Sequence, residues 1–252
     1  SWRALRYLIR APILLLHLAL ALPITLVFIN PLTVRWRIGG ERVDHKVIRW
    51  WSAGLLRVFG FRVRRIGAPL RGAGLFVANH VSWIDIELMH SQKVVGFVAK
   101  SEISRWPLVG WLASRAGTIY HHRGNNESLH GVMHQMVERL RAGEAVGVFP
   151  EGRTTDGTAL GNFHARIFQP AVVAAAPVQP VALRFGAGGA AQTRVAFGPR
   201  ENFLQNFLRL LGEPSTLAEV HFLEPVQPDD RGRRFLADTC RERIAAAMAS
   251  PP

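Results

Sequence analysis

Hydrophobic residues in this chain follow two different periods. Uninterrupted apolar runs at residues 75–78 and 145–148 each follow a glycine or a charged residue. Short apolar runs without polar alternation are typical of strands that are buried on both faces. Further strand candidates lie at residues 180–185, 194–197 and 219–223. The pattern predicts a sheet whose central strands are covered on both sides.

Apolar residues at helical spacing predict helices between these strands. A helix over residues 129–140 ends at Gly143 and leads into the strand at 145–148. Residues 202–211 and 231–249 are also predicted helices. Alternation of this kind predicts an α/β fold with a central mixed sheet flanked by helices.

The N-terminal part of the chain is strongly apolar. Residues 11–29 carry no formal charge, and as a helix they would extend about 28 Å, close to the ~30 Å of a bilayer core. We considered a signal peptide, a full membrane span, and a bent, partly inserted helix that returns to the same face. The apolar run continues past the Ala19-x-Ala21 site, which disfavours a signal peptide.

Charges and prolines favour the bent helix over the full span. Arg35 and Arg37 follow the apolar run as closely as Arg10 precedes it, so positive charge does not select one side. Pro12 and Pro23 interrupt the run. We therefore expect this helix to enter one leaflet and return.

A second N-terminal helix is predicted at residues 43–61. Its apolar residues lie near helical spacing and are Val47, Trp50, Trp51, Gly54, Leu55, Val58 and Phe59. An interfacial helix with tryptophans at head-group depth fits this pattern, and a core-facing helix is the alternative. We predict a membrane-associated two-helix hairpin over residues 1–62 and a catalytic α/β domain over residues 63–252.

Charge strengthens the membrane interpretation. The 252-residue chain has a formal charge of +13 and is 48% hydrophobic. Twelve of its basic residues and two acidic ones lie in residues 1–65, giving that part a net charge of +10. Because these basic residues bracket apolar sequence, anionic lipid head groups fit better than nucleic acid. The single cysteine, Cys240, excludes an internal disulfide and fits a reducing compartment.

Residues that could act in acid–base catalysis follow the first buried strand, in the sequence Asn-His-Val-Ser-Trp-Ile-Asp at 79–85. Ser82 is a candidate N-cap of a short helix, which places Asp85 in its first turn. The Asp85 carboxylate can then accept Nδ1–H of His80 and leave Nε2 as a general base. The alternative is a capping pair of Ser82 and Asp85 beside an ordinary loop histidine.

A second polar segment, residues 149–155, follows the second buried strand. Gly152 allows close backbone approach to a ligand, and Arg153 with Thr154 supplies donors suited to a phosphate. An ordinary turn with a solvated Glu151–Arg153 pair is the alternative. Residues at the carboxyl ends of buried strands form the active sites of open α/β sheets. Together the segments predict an enzyme that deprotonates a hydroxyl of a phosphorylated substrate.

Other chemistry is less well supported by the sequence. His130 and His134 are four residues apart, but Gly131 stands where a His-Glu-x-x-His zinc site has glutamate. A solvated helix face is the better interpretation. The sequence contains no Gly-x-Ser-x-Gly nucleophile elbow. We expect no bound metal.

Four sequence blocks resemble those of the glycerolipid acyltransferase family. His80 and Asp85 match its His-x4-Asp block, and Phe-Pro-Glu-Gly at 149–152 matches its third block. Residues 117–123, preceded by Lys100, are similar to the second block, and residues 178–183 are similar to the fourth. The resemblance covers roughly residues 75–185.

The resemblance implies a membrane-bound enzyme at the bacterial inner membrane, with its catalytic domain on the cytoplasmic face. It would move an acyl group from acyl-CoA or acyl carrier protein to the free hydroxyl of lysophosphatidate (1-acyl-sn-glycerol-3-phosphate), giving phosphatidic acid without a metal or redox cofactor. His80 would be the base, oriented by Asp85. The residues expected to bind substrate are Lys100, Arg123, Glu151, Gly152, Arg153 and Thr154. Glu151 would bind an acceptor hydroxyl or orient the arginines.

The chain departs from the family pattern in two places. Arg153 stands one position earlier than the usual Glu-Gly-Thr-Arg order, and Arg166 ends a Phe-His-Ala-Arg sequence where Phe-Lys-x-Gly is usual. These changes resemble the lyso-ornithine-lipid acyltransferase subgroup, so lyso-ornithine lipid or another lysophospholipid is the alternative acceptor. A catalytically silent membrane-binding module is a further alternative, which the intact His80 and Asp85 disfavour.

Overall fold

The computed structural model describes residues 1–105, 109–122 and 124–252. Its helices are α1 (Trp2–Phe28), α2 (Val43–Val58), α3 (Ile84–Gln92), α4 (Val109–Arg115), α5 (Asn126–Arg141), α6 (Gln169–Ala174), α7 (Gln192–Val195), α8 (Phe203–Leu211) and α9 (Gly232–Met248). Its strands are β1 (Arg37–Ile38), β2 (Glu41–Arg42), β3 (Phe61–Ile66), β4 (Gly74–Ala78), β5 (Gly96–Lys100), β6 (Ile119–His121), β7 (Ala145–Val148), β8 (Val178–Phe185) and β9 (Thr216–Phe222).

The main sheet has the strand order β3-β9-β8-β4-β7-β5-β6 among the described residues. Its neighbouring strands are parallel except for β8 and β9, which are antiparallel. The predicted α/β fold with a mixed sheet flanked by helices is therefore confirmed. The small β1–β2 hairpin lies apart from this sheet.

Strand β4 explains why the central apolar runs lack polar alternation. Phe76 and Ala78 belong to one buried cluster, which includes residues of α2 and α3. Leu75 and Val77 point to the other face, into a cluster with residues of α5 and α9. Both faces of the strand are covered by helices, so every position in it is apolar.

Most predicted elements occur close to their expected positions, but the strand predicted at residues 194–197 is wrong. That segment lies at the end of helix α7, whose Val195 is buried. The N–H groups of Val195 and Ala196 donate to the Ala191 and Gln192 carbonyls in the helix, so they do not pair with a strand. Strand β3, with exposed residues along most of its length, was not predicted.

Helix α1 is a single 27-residue helix that contains Pro12 and Pro23. It is the one helix in the described ranges that is long and apolar enough to cross a membrane. Its arginines contact the end of α8: Arg3 donates to the Arg209 carbonyl at 2.8 Å, and Arg10 donates to the Leu211 carbonyl at 2.9 Å. Because the last carbonyls of a helix lack intrahelical partners, these cations stabilise α8.

Helix α2 faces the core, which was the alternative interpretation of residues 43–61. Ile48, Ser52 and Leu56 are buried, whereas Trp50 is half exposed. Leu56 belongs to the same core cluster as strand β4, so residues 1–62 share a core with the α/β domain. The division between residues 62 and 63 falls inside β3. The membrane-associated hairpin stays a prediction.

Candidate active site

The two polar segments singled out in the sequence lie side by side. Strands β4 and β7 are parallel neighbours, with Gly74 opposite Ala145 and Val77 opposite Val148. Because the strands end at the same level, the residues that follow them meet at one edge of the sheet. The pairing of strands therefore brings His80 next to the Phe-Pro-Glu-Gly turn.

Asp85 is fully buried and holds the segment after β4 in place. Its Oδ2 atom accepts hydrogen bonds from Nδ1 of His80 at 2.8 Å, from the Val81 N–H at 2.6 Å and from the Ser82 N–H at 2.9 Å. The Ser82 hydroxyl accepts the Ile84 N–H at 3.0 Å. Helix α3 has Trp83 at its N-cap and no side-chain capping hydrogen bond, so the prediction of Ser82 as the N-cap is wrong. Asp85 contacts His80 as the first interpretation expected, and it also accepts the N–H groups that precede the helix.

The His80 ring is held from two sides. Besides its bond to Asp85, it stacks on Phe149, with ring centroids 3.9 Å apart and planes 13° apart. Phe149 stacks in turn on Phe97 of β5, with centroids 4.9 Å apart. Gly147 leaves room for this arrangement, because a Cβ atom there would lie 2.7 Å from the Phe97 ring. With Nδ1 engaged by a carboxylate, Nε2 is the nitrogen available to accept a proton.

Glu151 ties the two strand ends together. Its Oε1 accepts the His80 N–H at 2.9 Å, and its Oε2 accepts the Gly161 N–H at 2.7 Å. Burial raises the pKa of the Glu151 carboxyl, and the hydrogen bonds from these N–H groups oppose that rise. We expected a substrate contact here. The structure shows a positioning contact to the main chain of His80, and the substrate contact stays a prediction.

The turn after β7 is open. Gly152 has a φ of +79°, a conformation that L side chains rarely adopt. Arg153 is exposed and Thr154 is half-buried. The Thr155 N–H donates to the His80 carbonyl at 2.9 Å, which fixes the turn to the other strand end. The Arg153 guanidinium thus extends from an anchored turn toward solvent.

The remaining predicted substrate-binding residues are Lys100 and Arg123, with Arg166 as a possible substitute. Lys100 is exposed at the end of β5 and lies opposite His121 of β6 in the sheet register. Arg123, two residues after His121, lies outside the described residues. Arg166 is exposed beyond the turn after β7. The turn after β7 lies beside His80, and the substrate-binding roles of Lys100, Arg123 and Arg166 stay predictions.

The histidines that raised a metal hypothesis lie on a solvent-facing helix. His134 of α5 contacts Glu138 at 3.1 Å, and both side chains are mostly exposed. Among the described residues, no group of three or more His, Cys, Asp and Glu side chains could hold a metal ion. The solvated-face interpretation of His130 and His134 agrees with this exposure.

Three site residues were not assigned their roles from the sequence. Phe97 supports the His80–Phe149 stack, and Gly161 binds Glu151. The Asn79 side chain accepts the Leu183 N–H at 2.8 Å and donates to its carbonyl at 2.9 Å, which fixes the end of β4 to β8. The motif order was the only available signal for Asn79. Phe97 and Gly161 are distant in sequence and carry no local signal.

Comparisons with known proteins find one matching family model, several similar sequences and a similar crystal structure. Residues 62–184 match the family model described as Acyltransferase. The chain is 34% identical to a lyso-ornithine lipid O-acyltransferase of Pseudomonas aeruginosa, over 86% of this chain and 84% of that protein. It is 40% identical to a 1-acyl-sn-glycerol-3-phosphate acyltransferase of Neisseria gonorrhoeae, over 47% of each chain. The crystal structure of the 1-acyl-sn-glycerophosphate acyltransferase of Thermotoga maritima has the same fold, with a TM-score of 0.73, 20% identity and 99% of both chains covered.

Proposed function

The chain belongs to the acyltransferase family, and from this premise we propose that it acylates the hydroxyl of lyso-ornithine lipid. The observation that carries the chemistry is the His80–Asp85 pair, with Nδ1 bound to the carboxylate at 2.8 Å beside an open cationic turn. Family membership supports the reaction class. The choice of acceptor rests on the relative that matches over most of both chains.

In the proposed reaction, Nε2 of His80 removes the proton of the acceptor hydroxyl. The hydroxyl oxygen attacks the thioester carbon of acyl-CoA or acyl carrier protein, and backbone N–H groups near the turn stabilise the oxyanion. When the tetrahedral intermediate collapses, the C–S bond breaks and the thiolate takes the proton from the imidazolium. The products are an ester and a free thiol. No metal or redox cofactor enters this scheme.

The anionic group of the acceptor would bind at the cationic edge of the site. Arg153, Arg166 and Lys100 are exposed there, and a carboxylate or a phosphate is a good partner for a guanidinium. Gly152 and Thr154 would approach the same group through the backbone and the hydroxyl. Arg123 is retained in this proposal on the motif match alone.

Lysophosphatidate, our first expectation, becomes the second candidate acceptor. It is favoured by the higher identity, 40%, to an enzyme named for that substrate, but the match spans only 47% of each chain. The lyso-ornithine relative matches over 86% of this chain. Coverage carries more weight here because an alignment of 119 residues is too short to include both α1 and α8.

A direct assay distinguishes the acceptors. Purified full-length protein would be offered lyso-ornithine lipid or lysophosphatidate, with acyl-CoA and acyl carrier protein as donors, and His80→Ala as the inactive control. We expect thiol release when each donor is tested separately. We also expect kcat/KM to be at least ~10-fold higher for lyso-ornithine lipid than for lysophosphatidate, because the loss of one polar contact by the less suitable acceptor costs about 1.4 kcal/mol or more. A preference for lysophosphatidate would support the second candidate. Release with neither acceptor would favour the silent module.

We also propose that the enzyme works at the inner membrane from the cytoplasmic face. Helix α1 supports membrane association because its outward side chains are apolar and exposed, including Leu8, Leu15 and Leu20. The bacterial relatives support the bacterial membrane. Protease protection of the α/β domain in sealed inverted vesicles would contradict a cytoplasmic orientation.

A further inference from the structure

Helix α8 exposes an apolar stripe that the catalytic scheme does not use. Leu204 is 60% exposed and Leu208, one turn later on the same face, is 49% exposed. The opposite side of the helix is anchored: Asn206 and Leu210 are buried. Helix α8 has nine residues, one buried face and a second apolar face toward solvent. It therefore has more apolar surface than its packing against the domain requires.

Helix α8 lies against helix α1. The Tyr7 hydroxyl donates to the Leu208 carbonyl at 2.6 Å, and Arg3 donates to the Arg209 carbonyl at 2.8 Å. These contacts use the domain-facing side of α1. Its outward side presents Trp2 and Leu8, which are 78% and 73% exposed. The two helices are therefore neighbours, and each of them exposes apolar side chains.

The inner face of α8 reaches the catalytic segment. Trp83, between His80 and Asp85, stacks on Phe207 with centroids 5.3 Å apart and lies edge-on to Phe203 at 5.5 Å. Its indole N–H donates to Asn206 at 3.0 Å. A surface in contact with α8 would therefore be separated from the segment that carries His80 by a single layer of side chains.

Charges around the stripe favour an anionic lipid surface over a second copy of the chain. Arg200 is exposed in the loop that precedes α8. The nearby Glu201 is held by Arg209 at 2.8 Å, which lowers the pKa of that carboxyl to about 2 and leaves its charge paired. An apolar stripe with a cation at its end is the pattern of an interfacial helix. A self-contact would need unpaired acidic groups to face Arg200.

We propose that α8 is a second lipid-contacting element, which lies in the bilayer interface beside α1 and sets the height of the catalytic segment above the lipid. This inference rests on the membrane association included in the proposed function. It goes further in assigning Leu204 and Leu208 to the interface and in linking that contact to His80 through Trp83.

Site-directed fluorescence tests this assignment in the full-length protein. The native Cys240 is buried, and burial raises the pKa of its thiol to about 12, so thiol reagents select an introduced cysteine. An environment-sensitive dye would be attached to Leu204→Cys or Leu208→Cys. Leu16→Cys on α1 is the lipid-facing reference. Val173→Cys on α6 is the matched control, because Val173 is 48% exposed and α6 packs on the other face of the sheet.

Anionic phospholipid vesicles, with and without a doxyl-labelled quencher lipid, would then be added. We expect the dyes at positions 204, 208 and 16 to shift to shorter wavelength and to lose emission to the quencher, while the dye at 173 stays water-like. A response at 16 without one at 204 and 208 would overturn the inference and leave membrane association intact. A response at none of them would contradict membrane association itself. A shift at 204 that rises with protein concentration without vesicles would identify a contact between copies instead.

Discussion

The segments that follow β4 and β7 start at neighbouring strand ends. They differ in how many of their polar side chains are bound by other groups of the protein. After β4, Asp85 is buried and its Oδ2 binds His80 together with the Val81 and Ser82 N–H groups. After β7, the backbone is anchored through Thr155 but Arg153 extends into solvent. In the first segment Asp85 binds His80 and two N–H groups before substrate arrives, whereas the second segment presents Arg153 to solvent and substrate.

This difference explains where the chain departs from the family pattern. The closed segment matches the His-x4-Asp block, because its hydrogen bonds fix both the residue types and their spacing. The unusual positions of Arg153 and Arg166 both lie in the open region, where a side chain meets solvent or substrate. A general base needs a fixed geometry, whereas a cation on a mobile side chain can reach an anionic head group from several positions.

The largest effect is expected in the closed segment. His80→Ala removes the proposed base and should lower kcat by about 10²–10⁴-fold. Steady-state kinetics with the preferred acceptor would measure this, with the melting temperature as a check on folding. His134→Ala is the matched control because His134 is exposed on α5. Wild-type turnover in a folded His80→Ala protein would contradict the mechanism.

A smaller loss is expected when only the orientation of His80 is disturbed. In Asp85→Asn one carboxylate oxygen becomes an N–H donor in a fully buried site, and the negative charge beside His80 is lost. We expect kcat to fall by about 10–10³-fold and the melting temperature to drop. Asp238→Asn, at an exposed position of α9, makes the same chemical change as a control. Unchanged kcat would show that the stack on Phe149 suffices to hold the ring.

In the open segment, binding should change more than turnover. Arg153→Ala should raise the acceptor KM by about 10-fold through loss of one charge-assisted contact, and leave the acyl-donor KM almost unchanged. Arg153→Lys should recover part of the loss, since a point charge lacks the bidentate geometry. If Arg166→Ala raises the acceptor KM and Arg153→Ala does not, Arg166 binds the anion instead. The contrast between the two segments then still holds, with a different arginine.

The smallest effect is expected at Glu87, a second carboxyl group in helix α3. Glu87 of α3 has an enclosed Oε2 without a hydrogen-bond partner among the described residues, and burial raises its pKa from 4.5 to about 7. The folded protein therefore keeps this proton between those values, and stability is lost as the pH rises through about 7. Glu87→Gln should raise the melting temperature at pH 8 by about 2–4 °C and change it little at pH 5. The exposed Glu242→Gln should show no such pH dependence, and an equal shift at both pH values would rule out titration of Glu87 as the cause.

Local sequence determined the central strands, most helices and the contact between His80 and Asp85. Fully apolar runs were sufficient for β4 and β7, because burial on both faces leaves no other composition. The spacing of His80 and Asp85 was sufficient for their contact, because a strand exit and the first turn of α3 are close along the chain. Within the described residues these are short-range relations, which a sequence states directly.

Tertiary structure decided what depends on partners distant in sequence. It made residues 192–195 a helix where a strand was expected from residue 194, and it turned α2 toward the core. It brought Glu151 to the His80 N–H and to Gly161, and it stacked Phe149 between His80 and Phe97. It also directed the arginines of α1 to the end of α8, where we expected lipid head groups. Each of these outcomes depends on which surfaces and hydrogen-bonding groups meet when distant parts of the chain pack together. The local order of residues does not specify these contacts.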